Sequence, residues 1–306
     1  MHSNIWEFFT KVRESKDPEA YETHLWNADL RNRFYGCFSL FARTLALALS
    51  SSNFLEATKP ETIERYKKDL KFFQNLRAAV TYRYQESIDF SEYECRIKKL
   101  IDTHVSAGEV EQLCKPINLL NEGERRRIID ENGKSIGAKA DMIASATRNV
   151  IEQEMTKDPV FYKKFYRLLA EVIEAYHEGR LRALEALEKI KDISTKVVTH
   201  TDDDIPTELV GKDMARRYFG QVRERISAYG TFSEKTGAEI AIEIVGRIAR
   251  HKIQDWRTNP DAVNRMRGEI DDILFDIEEK RGLNLSLDDH DAIIDRCIEV
   301  AIANED

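Results

Sequence analysis

The chain has 306 residues, room for one large domain or two ordinary ones at roughly 150 residues each. Its 47 Lys and Arg against 55 Asp and Glu give a net charge of −8, which argues against a generally basic nucleic-acid binder and leaves only local basic patches. With 42% apolar and 33% charged residues, the composition excludes a disordered chain and suits a helical protein with a charged surface.

The N-terminus, "MHSNIWEFF", lacks the basic segment and the small-residue cleavage site of a secretory signal. The longest apolar run, Phe38 to Leu49, contains Arg43 and falls short of the roughly 20 residues that cross a bilayer. No membrane span is therefore expected, and the expected location is cytoplasmic. Cys37, Cys95, Cys114 and Cys297 stand singly, which disfavours a zinc site or disulfide framework and fits a reducing compartment.

Helix starts are legible along the chain. Asp17-Pro18, Asp158-Pro159 and Asn259-Pro260 each place a capping side chain before a proline, whose missing N–H costs nothing in a first turn. Thr58 and Glu61 have the spacing of a capping box, and Ser286 opens a last helix with Asp288 and Asp289 near its positive end. Between these starts apolar residues recur every three or four positions. Ile63, Tyr66, Leu70, Phe73, Val80 and Tyr84 mark a helix from about Pro60 to Glu86, and Phe161, Phe165, Leu168, Val172 and Tyr176 mark another. Met214, Phe219, Val222 and Ile226 form a further face, then Ile240, Ile244, Ile248 and Trp256, then Met266, Ile270, Ile273 and Ile277. Sustained strand-like alternation is absent, so the predicted fold is all-α, with about ten to twelve amphipathic helices in two packed helical subdomains. An irregular stretch, 106–137, with Pro116 and "EGERRR", sets the main boundary between 1–137 and 138–306; the polar break at 199–213 suggests a weaker one near 205.

Several motifs imitate chemistry. Gly133-Lys134-Ser135 ends like a phosphate-binding loop, but Ile128 stands where the first glycine is needed, and a helix-to-helix turn fits better. Asp261 followed by Glu278 and Lys280 spells the loose nuclease pattern of two carboxylates and a lysine; on one continuous helix those carboxylates are roughly 25 Å apart and cannot share a metal. His290-Asp291 lacks converging ligands and reads as part of an acidic helix start, and "TDDD" at 201–204 reads as solvated. The segment "RYKKDLKFFQNLRAAVTYRY" mixes cations with aromatics in a manner compatible with a nucleic-acid backbone, or simply with a core face and a solvated face. Residues 60–100 carry nine basic and seven acidic side chains, whereas 261–306 carry five and fourteen, so the two ends suit different partners.

Taken together, "FSLFARTLALALSSSNF" with "RYKKDLKFFQNLR" and "LIDTHVSAGEVEQL", then "AKADMIASATRNVIEQEMTKDPVFYKKFYRLLAEVIEAYHEGRL", "DDDIPTELVGKDMARRYFG" and "IQDWRTNPDAVNRMRGEIDDILFDIEEKRGLNLSLDDHDAIIDRCIEVA", resemble the C-terminal helical region of the restriction (R) subunit of type I restriction–modification enzymes. The resemblance implies a non-catalytic module that follows a nuclease domain and two motor domains. ATP and Mg would be used by those domains, and this chain itself would hold no cofactor, metal or catalytic residue. The implied partners are the modification (methyltransferase) and specificity subunits and the motor domains of the parent chain, which would be an ATP-dependent site-specific deoxyribonuclease. The implied docking elements are Asp255, Trp256, Asn259, Pro260, Asn264, Arg265, Met266 and Arg267. From the residues alone Trp256 reads first as a core anchor and Asn259 as a cap, since it stands directly before a proline. The alternative role is direct DNA contact through Lys67, Lys68, Lys71, Arg77 and Arg83.

Overall fold

Prolines and short polar side chains set the helix starts in the computed structural model, which describes residues 2–12, 17–86, 123, 124, 127, 133–227, 229, 233–281 and 284–304. Twelve α-helices and two 3-10 turns, and no strand, occur among the described residues. The helices are α1 (His2–Glu7), α2 (Pro18–His24), α3 (Ala28–Leu49), α4 (Ser52–Ala57), α5 (Pro60–Arg83), α6 (Ile136–Glu154), α7 (Pro159–His177), α8 (Ala183–Thr199), α9 (Asp213–Ile226), α10 (Glu234–His251), α11 (Pro260–Arg281) and α12 (Leu287–Ala303). None is long and apolar enough to cross a membrane.

The predicted caps largely form. Asp17 accepts from the Glu19 N–H, Asp158 from Phe161, Asn259 from Asp261 and Ala262, and Ser286 from Asp289. The Thr58–Glu61 box does not form. Thr58 instead closes α4 by donating its N–H to the Phe54 carbonyl, and Lys59, without a side-chain cap, precedes Pro60. Gly133 takes φ +98°, a conformation glycine adopts freely. Ser135, not a residue after it, caps α6 through the Ala138 N–H.

The chain divides into two compact units, 1–146 with 172–190, and 147–171 with 191–306; α6, α7 and α8 each contribute to both. In the first unit, α3 packs against α1, α4 and α5, and α2 against α5. Its core is aromatic: Phe9, Tyr21, Phe34, Phe38 and Phe73 are buried, with Trp6 stacked on Phe72 at 5.6 Å between centroids. Truncating such a side chain costs about 3–5 kcal/mol. Gly137 lets α6 approach Tyr176, whose hydroxyl lies 2.1 Å from where a Cβ would stand.

In the second unit α9, α10, α11 and α12 form a ring in which each helix packs on two others: α9 on α10 and α12, α11 on α10 and α12. Tyr218, Val222, Ile244, Met266, Ile270, Ile273, Ile293 and Cys297 fill it. Two periodic stripes differ from expectation. Leu169 rather than Leu168 continues the Phe161–Phe165 face, so the buried row follows i, i+4, i+8 and drifts around the helix; Leu168 is exposed. The helix through Ile248 stops at His251, and Trp256 reaches the core from a separate 3-10 turn, Trp256–Thr258, after Asp255 takes φ 56°.

Candidate interaction surfaces

In the first unit a buried polar site is built around Arg83. The stripe Phe73, Leu76, Val80, Arg83 is an i, i+3, i+7, i+10 series, so helical geometry points this guanidinium inward with three apolar neighbours. It is 2% exposed. Nε donates to Asp141 Oδ2 at 2.8 Å; Nη2 is equally near that oxygen but is not aligned to donate, so Nε carries the bond. Nη1 lies 3.5 Å from Glu19 Oε1 and 3.4 Å from Glu22 Oε2. Asp141 also meets His177 Nε2 at 2.9 Å, and that imidazole stacks on Trp26 at 4.7 Å, 8° from parallel. Burial pushes the Glu22 carboxyl above its ordinary pKa, against the pull of Arg83. Burial likewise opposes the charge on Arg83, but Asp141, then Tyr84, hold its pKa above the ordinary value.

Arg83 is thus turned away from solvent: its fork faces the buried Asp141 and the half-buried Glu19 and Glu22. The other four cations proposed for DNA contact lie on α5 outside the core. Lys68 is exposed, Lys67 and Lys71 are half-buried, and Lys67 pairs with Glu64 at 3.0 Å. Arg77 lies 5.1 Å from the Tyr35 ring centroid, leaving Lys68 and Lys71 as the more available pair.

In the second unit the eight residues around the α10–α11 corner separate into two groups. Trp256 and Met266 belong to the core, 2% and 0% exposed. Asn259 is occupied as the cap of α11, and Arg267 pairs with Asp295 at 2.5 Å. Asp255, Pro260, Asn264 and Arg265 are exposed, so any partner at this corner meets those four first.

Elsewhere in this unit the acidic loop is not merely solvated. Lys164 Nζ bonds Asp202 at 2.7 Å and Asp204 at 2.6 Å, and Lys196 bonds Asp203 at 2.7 Å. The groove lined by Lys163, Arg167 and Arg223 also holds Asp204, Glu224 and Glu234, so opposite charges cancel within it. His290 is buried on α12 with Nδ1 3.0 Å from Asp271 and Nε2 3.2 Å from Glu278, cross-linking α12 to α11. Asp261 and Glu278, the pair that imitates a nuclease, stand at opposite ends of α11.

Sequence reasoning missed the Arg83 and His290 clusters. The signal for Arg83 was present, a cation in phase with Leu76 and Val80. For His290 it was absent, because Asp271 and Glu278 are brought to it only by the packing of two helices. Cys95, Cys114 and most of 106–137 lie outside the described residues.

Residues 12–301 match a family model described as type I restriction enzyme HindI endonuclease subunit-like, C-terminal. The chain is also 23% identical over 239 residues to a Methanocaldococcus jannaschii protein assigned as the MjaIXP endonuclease subunit of a type I restriction enzyme. That alignment covers 75% of this chain and 22% of the relative, so the chain corresponds to under a quarter of the relative's length. No solved structure matches the chain.

Proposed function

Because the chain belongs to the family of C-terminal regions of type I restriction enzyme HindI endonuclease subunit-like proteins, we propose that it is a non-catalytic helical module of such a subunit. In this reading it braces the motor domains and docks the subunit on the methyltransferase core, supporting ATP-dependent DNA translocation and cleavage in the cytoplasm. ATP and Mg are used by other domains of the parent. The observation that carries the reading is the family match across 12–301, which leaves almost none of the chain for a separate activity. The exposed group Asp255, Asn264 and Arg265, flanking the Asn259 cap and the buried Trp256, supports placing the docking surface at the α10–α11 corner.

Truncation after Thr258 removes α11 and α12, half of the second unit's core ring, and would abolish capture by unfolding alone. Surface changes avoid this. The double variant Asn264→Arg, Arg265→Glu is expected to keep wild-type thermal stability and to lose capture of the assembled modification and specificity subunits. Undiminished capture would move the interface elsewhere.

A second reading, direct contact with the DNA backbone, is favoured by one observation: Lys68 and Lys71 share an accessible side of α5 at i, i+3. Phosphate binding there would weaken steeply with salt, and Lys68→Gln, Lys71→Gln would flatten the salt slope by about two phosphate contacts. Absence of DNA affinity at low salt removes this role.

A further inference from the structure

Along α11, Asn264, Gly268, Asp271, Phe275 and Glu279 recur at i, i+4, i+7, i+11 and i+15, which places them on one side of the helix. That side has an unusual composition. Phe275 is 52% exposed, its ring resting on His290 at 4.9 Å between centroids. Gly268 sits in mid-helix, where glycine costs stability relative to alanine, and nothing lies within 4 Å of the Cβ it lacks. The glycine is therefore not required by packing within the described chain. It leaves an open notch two turns from an exposed aromatic ring.

The surrounding charge is one-sided. Residues 271–291 contain eight Asp and Glu against two Lys and Arg. Glu278 and Asp271 are engaged by His290, Asp276 by Lys280, and Asp289 by Ser286 and Tyr229. Asp272, Glu279, Asp288 and Asp291 are exposed, with no ion-pair partner among the described residues. Contacts of α12 with α11, Asp295 to Arg267 and His290 to Asp271 and Glu278, show that the two helices run antiparallel. Leu287, 76% exposed and one turn before His290, thus lies toward the same end of the hairpin as Glu278 and Glu279.

We propose that this side of the α11–α12 hairpin is a seat for a basic amphipathic helix of a protein partner, with Phe275 as the apolar anchor, Gly268 as the notch for close helix approach, and Asp272 and Glu279, one turn either side of Phe275, as the acidic rim. Three features converge on that occupant. An exposed aromatic flanked by carboxylates takes the apolar stripe of a helix whose margins carry Lys or Arg. A residue without a side chain allows two helix axes closer than the usual 8–10 Å. DNA is repelled by the same charge. The stripe from Asn264 to Glu279 runs about 22 Å, matching roughly four turns of partner helix. The proposal rests on the docking reading, since Asn264 begins this stripe, and specifies the chemistry of what docks.

The test uses the full chain and two probes. One is a synthetic lysine–leucine amphipathic peptide of about 18 residues, roughly 27 Å as a helix, with a glutamate–leucine counterpart as control; the other is the assembled modification and specificity subunits. Gly268→Leu fills the notch with a helix-favouring residue at an exposed position where the added Cβ has nothing within 4 Å, so thermal stability is expected to hold or rise while the lysine–leucine peptide binds at least tenfold more weakly. Phe275→Ser is expected to weaken it comparably. Equal binding to wild type and both variants, or equal binding of the glutamate–leucine peptide, overturns the proposal. If Asn264→Arg, Arg265→Glu abolishes capture of the subunits while Gly268→Leu and Phe275→Ser leave it intact, the docking reading survives and this seat does not. If the variants weaken the peptide but wild type captures no subunits, the seat's chemistry stands and the docking reading fails.

Discussion

Replacing Arg83 by Met separates a structural ion from a DNA contact. The side chain is 2% exposed and faces Asp141, itself 3% exposed, together with Glu19 and Glu22. Removing one member of a buried pair leaves uncompensated charge and costs about 3–5 kcal/mol, whereas an exposed surface pair is worth about 0–1 kcal/mol. For a unit of this size a loss of 3–5 kcal/mol lowers Tm by roughly 6–20 °C. Thermal unfolding followed by circular dichroism, alongside Trp fluorescence that includes Trp26 beside His177, measures both the global and the local loss. Lys68→Met, on the exposed side of the same helix, is expected to change stability by less than about 0.5 kcal/mol. Adding Asp141→Asn to Arg83→Met should cost less than the sum of the two single changes, because the charge left stranded is itself removed. A loss under about 1 kcal/mol for Arg83→Met, or strict additivity with Asp141→Asn, would refute the buried-ion account.

Other outcomes follow from local chemistry. Hydrogen bonds from Tyr229 and Ser286 hold the Asp289 carboxyl below its ordinary pKa, as Arg247 and His251 do for Glu269. A lowered folded value adds stability that is present above about pH 4 and is lost as pH falls through the folded pKa, so the stability gap between wild type and Asp289→Asn should narrow progressively in acid denaturation; a gap that stays constant or widens as pH falls from about 4 contradicts this. Burial pushes the Cys297 thiol well above its ordinary pKa, and pulsed alkylation with peptide mapping should find it unreactive at neutral pH until denaturant opens the second unit. Labelling of the native chain at the rate of a free thiol would contradict its place in the core. Asp255 occupies the left-handed region, so Asp255→Gly should leave Tm equal or higher, while Asp255→Val should cost about 1–2 kcal/mol; equal effects would show that the turn is not held in that conformation.

Element identity was legible wherever a capping residue preceded a proline and the apolar period was unbroken, as at Asn259-Pro260 and the helix through Ile277. It failed where two signals competed. Thr58 had the right spacing for a capping box but was already needed to close α4. Trp256 fell in phase with Ile248, yet Asp255 reverses the chain before it, and backbone sign at a single residue leaves little trace in periodicity. At the candidate surfaces, the family-derived residues mixed exposed side chains with those that hold the corner together. Burial separates them: Trp256 and Met266 lie in the core, and Asn264 and Arg265 lie on the surface. Phe275 and Gly268 were invisible as surface features because a Phe in an apolar series and a lone Gly in a helix both read as ordinary packing.

The central claim, docking of a helical module on the methyltransferase core, is tested most directly by affinity capture of the assembled modification and specificity subunits on the immobilised 306-residue chain. Wild type should retain them, and Asn264→Arg, Arg265→Glu should not, with both proteins melting at the same temperature. Failure of wild type to retain the subunits, or equal retention by the variant, would contradict docking through the α10–α11 corner.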